Sequence, residues 1–232
     1  MNAVITGGSR GIGRAIAEKY ASLGYNILLC SKNERGLEDT VEEMRKNFPG
    51  AEIWAKQADL SKKQDVIRFA EWCLSRVVPD ILVNNAGIYL PGNVHDEPEG
   101  QMEDLMNINF FSAYHLTRLL LPSMIRRRSG HVFNIASIAS LQAYPGGGAY
   151  SISKFALMGF SKNLRHELRD KGIKVTTIYP GAVETDTWGG FDNSTARIML
   201  ASDIAEAVAA AGSLSPQAVV EDIIIRPQLG DL

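Results

Sequence analysis

A tyrosine and a lysine stand four residues apart in the segment AYSISKFALMGF, which spans residues 149–160. Residues i and i+4 of a helix lie on one face, so Tyr150 and Lys154 would lie side by side. A nearby positive charge favours the phenolate and lowers the pKa of a tyrosine from its ordinary value of about 10. Such a pair could act as a general acid or base near neutral pH. The alternative is a solvated helix face along which the lysine extends.

A glycine-rich turn near the start of the chain could hold phosphate groups. The first apolar strand ends in TGGSRGIG, residues 6–13. Glycine permits positive φ and lets the backbone approach a ligand closely. The helix that follows offers free N–H groups and the positive end of its dipole. The pattern predicts a dinucleotide site with contacts from Gly7, Ser9, Arg10, Gly11, Ile12 and Gly13.

The end of the second strand favours NADP over NAD. An NAD site usually carries Asp or Glu there to bind the ribose 2′-hydroxyl, whereas this chain has Ser31 and Lys32. A hydroxyl and a cation suit a 2′-phosphate, which Arg10 could also reach. Glu34 keeps NAD as the less favoured alternative, and both cations could also be ordinary surface charges.

Strand-like apolar runs alternate with amphipathic helical segments from end to end of the chain. Continuous apolar runs are typical of parallel strands that are covered on both faces. We therefore expect one α/β domain over residues 1–232, a doubly wound seven-stranded parallel sheet with helices on both faces. The predicted strands are Ala3–Thr6, Asn26–Cys30, Glu52–Gln57, Ile81–Val83, His131–Ile135, Lys174–Tyr179 and Asp222–Ile225. The predicted helices are Ile12–Leu23, Arg35–Asn47, Lys63–Arg76, Gln101–Arg128, Tyr150–Asp170 and Ser202–Ala211.

Composition and charge argue against several classes of protein. The 232 residues are 45% hydrophobic, which suits a single domain with a sizeable core. A net charge of −2 with mixed signs argues against nucleic acid or an anionic membrane as partner. No apolar run approaches the ~18 residues of a membrane span, and no histidine or cysteine has metal-ligand spacing, so we expect no metal. Two cysteines and no leader pattern indicate a cytoplasmic location.

Six motifs in order make the chain resemble the short-chain dehydrogenase/reductase family over essentially its whole length. They are TGGSRGIG at 6–13, NNAG at 84–87, Asn109 in MNINFF, Ser137 in NIASIAS, YSISK at 150–154 and PGAVET at 180–185. The resemblance implies a Rossmann fold and an NADPH-dependent oxidoreductase that reduces a carbonyl to an alcohol by hydride transfer. It also makes the Tyr–Lys pair part of a catalytic set.

The resemblance further implies a role for each residue of the site. Tyr150 would be the general acid that protonates the carbonyl oxygen, and Ser137 would stabilise that oxygen by a hydrogen bond. Lys154 would bind the nicotinamide ribose and lower the pKa of Tyr150, and Asn109 would hold a water that relays protons. Other implied cofactor contacts are Asp59 at the adenine, Asn85, Ala86 and Gly87 at the adenosine ribose, and Pro180, Gly181, Val183 and Thr185 at the carboxamide.

Loops near the nicotinamide are expected to select the substrate, a small molecule. We expect an aromatic-lined pocket, with the Gly189-Gly190 pair as a hinge, built from Tyr89, Tyr144, Trp188 and Phe191. The tail and the PGAVET stretch resemble bacterial sepiapterin reductases, and the front half resembles 3-oxoacyl-carrier-protein reductases. An acidic carrier would favour basic residues around the cleft, and the basic block Arg126–Arg128 is expected far from it. This favours a small free carbonyl such as a sepiapterin-like compound or a diketone.

Two expectations concern the protein beyond its reaction. A dinucleotide-binding regulator without catalysis is the alternative of another class, although such members usually lack the Tyr or the Lys. The long helices predicted at 101–128 and 150–170 have apolar residues beyond one core face, which predicts a homodimer or homotetramer. Examples of these residues are Leu105, Phe110, Leu157 and Phe160.

Overall fold

The seven predicted strands are present and form one parallel sheet. The computed structural model describes residues 1–185 and 192–231. The strands are β1 (Asn2–Thr6), β2 (Asn26–Ser31), β3 (Ile53–Gln57), β4 (Ile81–Asn84), β5 (Gly130–Ile135), β6 (Ile173–Pro180) and β7 (Asp222–Ile225). Their order across the sheet is β3-β2-β1-β4-β5-β6-β7, and every neighbouring pair is parallel. The doubly wound fold is therefore confirmed.

The helices agree with the prediction except at one place. They are α1 (Gly11–Ser22), α2 (Glu34–Asn47), α3 (Lys63–Leu74), α4 (Gln101–Met106), α5 (Ser112–Arg127), α6 (Gly148–Leu168) and α7 (Ala201–Gly212). The continuous helix predicted over Gln101–Arg128 is wrong, because a π-helical turn at Asn107–Phe111 separates α4 from α5. There the N–H of Ser112 donates to the carbonyl of Asn107, five residues back. One wider turn barely changes the apolar periodicity, so the sequence pattern does not reveal it.

The core has two apolar layers, one on each face of the sheet. Successive residues of β1 point to opposite faces, so Ile5 packs with residues of α1, α2 and α7, and Val4 packs with residues of α3, α5 and α6. All three central residues of β1, Ala3, Val4 and Ile5, are fully buried. Among the described helices, none is long and apolar enough to cross a membrane.

The strand order reverses between β1 and β4. The chain runs outward from β1 through β2 to β3 and then returns to place β4 on the other side of β1. In open α/β sheets, ligands bind in the crevice that such a reversal opens at the carboxyl ends of the strands. Residues that follow β1, β4, β5 and β6 therefore decide what the protein binds.

Strand β5 buries a histidine that takes no part in this crevice. Nε2 of His131 lies 2.7 Å from the hydroxyl oxygen of Thr176 on β6. The imidazole stacks on Phe133 with ring centroids 3.9 Å apart. Burial, with a smaller contribution from the charge of Lys174, lowers the pKa of His131 from 6.5 to about 3.

The burial of His131 makes the stability of the protein sensitive to acid. Between pH 6.5 and 3 the unfolded chain binds a proton that the folded chain excludes, so the free energy of unfolding falls as pH falls. From pH 7.5 to 5, this one group is expected to contribute a loss of about 2 kcal/mol. Urea unfolding at both pH values should show a correspondingly smaller loss in His131→Gln, which cannot titrate. Equal pH dependence in the two proteins would contradict this prediction.

Candidate active site

The glycine turn after β1 is built for close backbone approach. Gly7 and Gly11 adopt positive φ of 65° and 54°. A Cβ atom on Gly13 would lie 2.3 Å from the carbonyl oxygen of Gly7 and 2.4 Å from Nδ2 of Asn85. The turn thus leads tightly into α1, whose first N–H groups lie at the carboxyl end of β1. This arrangement fits the phosphate groups of a dinucleotide.

Thr6 fastens this turn to the end of β4, a role that the sequence did not reveal. Its hydroxyl oxygen accepts hydrogen bonds from the N–H groups of Asn85 and Ala86, each at 2.9 Å. The side-chain amide of Asn85 donates in return to the carbonyls of Thr6 (2.9 Å) and Gly7 (3.2 Å). The glycine turn and the NNAG motif therefore form one hydrogen-bonded unit across the strand reversal.

Polar side chains meet beside the turn at the ends of β1, β2 and β3. The hydroxyl of Ser9 donates to that of Ser31 at 2.8 Å. Nζ of Lys32 lies 3.1 Å from Oδ2 of Asp59. Partial burial raises the pKa of Asp59, but hydrogen bonds from Ser61 and the contact with Lys32 outweigh it and hold that pKa below its ordinary value. Two residues assigned to different parts of the adenosine, Lys32 and Asp59, thus pair with each other.

The Tyr–Lys pair of the sequence lies on α6, as predicted, and faces Ser137. Ser137 follows β5 and caps a short 3-10 turn at Ile138–Ser140 by accepting from the N–H of Ala139 at 3.1 Å. The hydroxyls of Ser137 and Tyr150 are hydrogen-bonded. Lys154 is only 6% exposed, and its Nζ donates to the carbonyl of Ile135 at 3.1 Å.

The pKa of Tyr150 moves in the direction opposite to the sequence-based expectation. Burial raises the pKa of Tyr150, the hydrogen bond with Ser137 lowers it, and the electrostatic effect of Tyr89 raises it further. Lys154 does not reverse the direction, because its Nζ lies 5.9 Å from the centre of the Tyr150 ring and donates to a backbone carbonyl. Burial also lowers the pKa of Lys154 itself, to about 8.

Asn109 lies in the π-helical turn and is 1% exposed. Its Oδ1 accepts from the N–H of Ile88 at 2.8 Å, and its Nδ2 donates to the carbonyl of Ile88 (3.1 Å) and the hydroxyl of Ser153 (3.0 Å). A Cβ atom on Gly87 would lie 2.9 Å from Oδ1 of Asn109 and 3.6 Å from Nζ of Lys154. The side chain of Asn109 thus braces the segment after β4 beside Lys154.

The PGAVET segment runs from the end of β6 toward the glycine turn. The N–H of Gly181 donates to the carbonyl of Ile225 at 2.8 Å, and Val183 pairs with Met199 in an isolated parallel bridge. A Cβ atom on Gly11 would lie 3.2 Å from the Cγ2 methyl of Thr185. The structure therefore brings this segment to the turn that the sequence predicted to hold the dinucleotide.

Two of the four predicted substrate residues, Tyr89 and Tyr144, lie near Tyr150. The ring of Tyr89 stands nearly perpendicular to that of Tyr150, with centroids 4.9 Å apart. Tyr144 is hydrogen-bonded to Tyr89, and its pKa is raised by burial and by the neighbouring Tyr89 and Tyr150. The other two, Trp188 and Phe191, lie outside the described residues, as do the hinge glycines.

Three further expectations concern the basic block, the residues predicted to face a second copy, and a metal site. The basic block ends α5 at the amino edge of the sheet, where Arg127 pairs with Asp80 at 3.0 Å. Leu105 and Leu157 are 0% and 2% exposed, so the expectation that they face a second copy is wrong. Within residues 1–185 and 192–231, no group of His, Cys, Asp or Glu side chains is arranged to hold a metal ion.

Comparisons with known proteins agree with this geometry. The sequence profile of the family described as short chain dehydrogenase matches residues 1–195. A sepiapterin reductase from Chlorobaculum tepidum is 35% identical over 238 positions, which cover 99% of this chain and 97% of that protein. An alcohol dehydrogenase from the archaeon Thermococcus sibiricus, solved with 5-hydroxy-NADP, superposes with a TM-score of 0.90 at 28% identity, covering 98% of this chain and 96% of its own. A metagenomic short-chain oxidoreductase in complex with NADP superposes with a TM-score of 0.85 at 31% identity. That match covers 98% of this chain and 97% of the metagenomic protein.

Proposed function

The chain belongs to the short-chain dehydrogenase family, and on that premise we propose that it is an NADPH-dependent reductase that converts a ketone into an alcohol. One observation carries the proposal. The hydrogen-bonded hydroxyls of Tyr150 and Ser137 and the buried Lys154 lie at the same edge of the sheet as the glycine turn. Carbonyl reduction requires a proton donor and a stabiliser of the developing oxyanion beside a bound dinucleotide.

The side chains of the site fit the steps of this reaction. Bound NADPH would supply a hydride to the carbonyl carbon. Tyr150 then gives its proton to the carbonyl oxygen, while Ser137 donates a hydrogen bond to that oxygen. The phenol of Tyr150 carries a proton to give at neutral pH, because its pKa is raised by burial from an ordinary value of about 10. Lys154 would bind the nicotinamide ribose.

Reprotonation of Tyr150 would use a relay that includes Lys154 and a water held by Asn109. The side chain of Asn109 already bonds to Ile88 and Ser153. The main-chain carbonyl of Asn109 is therefore the group that we assign to the water. A π-helical turn at this point supports the assignment, because such turns leave irregular backbone hydrogen bonding and are frequent at functional sites.

Two lines of support favour NADPH as the cofactor. The hydroxyls of Ser9 and Ser31 and the cation of Lys32 lie together beyond β2, where an NAD site would carry an acid. Arg10 belongs to the same turn. The two similar structures described above contain NADP or its 5-hydroxy derivative.

A small free carbonyl compound is the substrate class that we favour. Tyr89 and Tyr144 offer aromatic faces beside Tyr150, and the basic block Arg126–Arg128 lies at the opposite edge of the sheet. The similarity to a sepiapterin reductase supports a sepiapterin-like substrate or a diketone. A 3-oxoacyl thioester on an acidic carrier is the second candidate, and a regulator without catalysis is the candidate of another class.

Absorbance at 340 nm tests these candidates together. The protein would be mixed with NADPH or NADH and with ketones, diketones, pterins or 3-oxoacyl thioesters. We expect NADPH consumption with a small free carbonyl. Turnover restricted to acyl thioesters would favour the carrier-linked substrate. Tight NADPH binding without turnover across the whole panel would favour the regulator.

Replacing Lys32 by alanine tests the cofactor assignment. Removal of one charge-assisted contact to the 2′-phosphate should raise the KM for NADPH roughly tenfold and leave that for NADH unchanged. Lys46→Ala, which removes an exposed lysine of α2, is the matched control and should change neither constant. An equal loss with both cofactors in Lys32→Ala would show that Lys32 does not read the 2′-phosphate.

A homodimer or homotetramer is the assembly that we propose. Three apolar side chains, Phe111 of the π-helical turn and Ile152 and Phe155 of α6, are 38–41% exposed on the single chain. Burying such a surface in a two-fold contact would remove it from water. Light scattering at micromolar concentration should give a mass of at least two chains, and a monomeric mass would contradict the proposal.

A further inference from the structure

The first turn of α6 has no capping side chain of its own. The helix begins at Gly148, and the residue before it, Gly147, has no side chain to accept from the free N–H groups. The first four N–H groups of a helix lack partners within the helix. Tyr150 lies in this turn, so the position of its phenol depends on whatever holds the turn in place.

A carboxylate from the segment after β4 supplies the missing cap. Oε2 of Glu97 accepts a hydrogen bond from the N–H of Ala149 at 3.1 Å, and another from Nε2 of Gln101 at 3.3 Å. Negative charge at the amino end of a helix is favourable because the helix dipole is positive there. Glu97 thus joins the start of α6 to the start of α4.

The fit around Glu97 requires two glycines. A Cβ atom on Gly148 would lie 2.7 Å from Oε2 of Glu97, and one on Gly92 would lie 2.8 Å from its Cβ. Two further hydrogen bonds join the same segments, from the N–H of Gly92 to the carbonyl of Gly146 (3.0 Å) and from the N–H of Gly146 to Oδ1 of Asn93 (3.2 Å). The segments 88–100 and 144–149 therefore pack as one body.

The anchored segment also carries Tyr89, whose ring lies against Tyr150. We propose that Glu97 is a positioning residue: its carboxylate holds the segment carrying Tyr89 against the first turn of α6, and so sets Tyr89 and Tyr150 in one geometry for the substrate. The kinetic part of this inference rests on the proposed reductase function. The structural part, the link between the two segments, does not.

Three variants test the proposal in the full-length protein. Glu97→Ala removes the acceptor and should lower kcat/KM roughly tenfold, mostly through kcat, because misplaced groups react slowly. The Kd for NADPH should stay within about twofold, since the dinucleotide turn is elsewhere. Glu97→Gln keeps an oxygen that can accept from Ala149 and should recover most of the loss. Glu99→Ala removes an exposed carboxylate two residues along the chain and should behave as the wild type.

Hydrogen exchange gives a readout that needs no substrate. In Glu97→Ala, the amide of Ala149 and those of residues 88–100 should exchange faster, while amides of β1 and β4 should not change. Wild-type exchange and kinetics in Glu97→Ala would overturn the proposal. If Glu97→Ala does not fold, Glu97→Gln is the deciding variant. A large loss of kcat/KM in Glu97→Gln, which keeps the acceptor oxygen, would also overturn the proposal. A wild type without any carbonyl turnover would defeat the reductase function alone, and the exchange result would still decide whether Glu97 joins the segments.

Discussion

Replacement of Tyr150 by phenylalanine is expected to lower kcat about 10²–10⁴-fold while NADPH binding stays nearly unchanged. In the proposed reaction the phenol gives a proton to the carbonyl oxygen, since Ser137 is hydrogen-bonded to the phenol and Lys154 donates to the carbonyl of Ile135. The phenol carries its proton at neutral pH, since an ordinary tyrosine has a pKa of about 10 and burial raises that of Tyr150 further. Phenylalanine retains the ring that packs against Tyr89, so the loss isolates the hydroxyl.

The measurement is NADPH oxidation at saturating substrate, together with a fluorescence titration of NADPH binding. Tyr25→Phe is the matched control, because Tyr25 packs against Tyr20 at the far end of α1. That control should keep wild-type kcat. If Tyr150→Phe retained more than a tenth of the wild-type kcat, another group would have to donate the proton.

Gly13→Ala is expected to weaken NADPH binding roughly 100-fold, since overpacking at a rigid position costs up to about 3 kcal/mol. The new Cβ atom would lie 2.3 Å from the carbonyl oxygen of Gly7 and 2.4 Å from Nδ2 of Asn85. Neither neighbour can give way easily, because Nδ2 of Asn85 is bonded to the carbonyls of both Thr6 and Gly7. The alanine would therefore open the turn at the place where the phosphates are expected.

The control for this variant is Gly36→Ala in α2. A Cβ atom there would lie 3.5 Å from Asn33, which is an ordinary contact. Alanine favours a helix over glycine by roughly 1 kcal/mol, so this variant should bind NADPH normally and be no less stable. Fluorescence titration compares the three proteins, and wild-type affinity in Gly13→Ala would exclude this turn as the dinucleotide site.

The sequence was sufficient to predict the sheet because each strand is an apolar run between polar turns. Six motifs also pointed to the crevice, and the structure does bring Ser137, Tyr150 and Lys154 together. The break between α4 and α5 was missed because a single π-helical turn leaves the apolar pattern almost unchanged.

Contacts between residues far apart in the chain could not be predicted from the sequence, for a different reason. Lys32 and Asp59 are 27 positions apart, and each was assigned to the cofactor, yet they pair with each other. The contact between Glu97 and Ala149 spans 52 positions and belongs to no motif. The direction of the pKa of Tyr150 was wrong because burial, which a sequence does not display, outweighs the expected effect of a lysine one turn away.

The position of β1 in the middle of the sheet has a consequence for biosynthesis. Among the seven strands β1 is translated first and β2 follows soon after it, but its other partner β4 and the segment at Pro180–Thr185 follow much later. At 5–20 residues per second, the ribosome adds Thr185 roughly ten to thirty seconds after Gly13. Until then the nascent chain carries an apolar strand and a glycine turn without the segment that faces it. The dinucleotide crevice is therefore completed late in translation, and a polypeptide truncated before Thr185 would lack one of its walls.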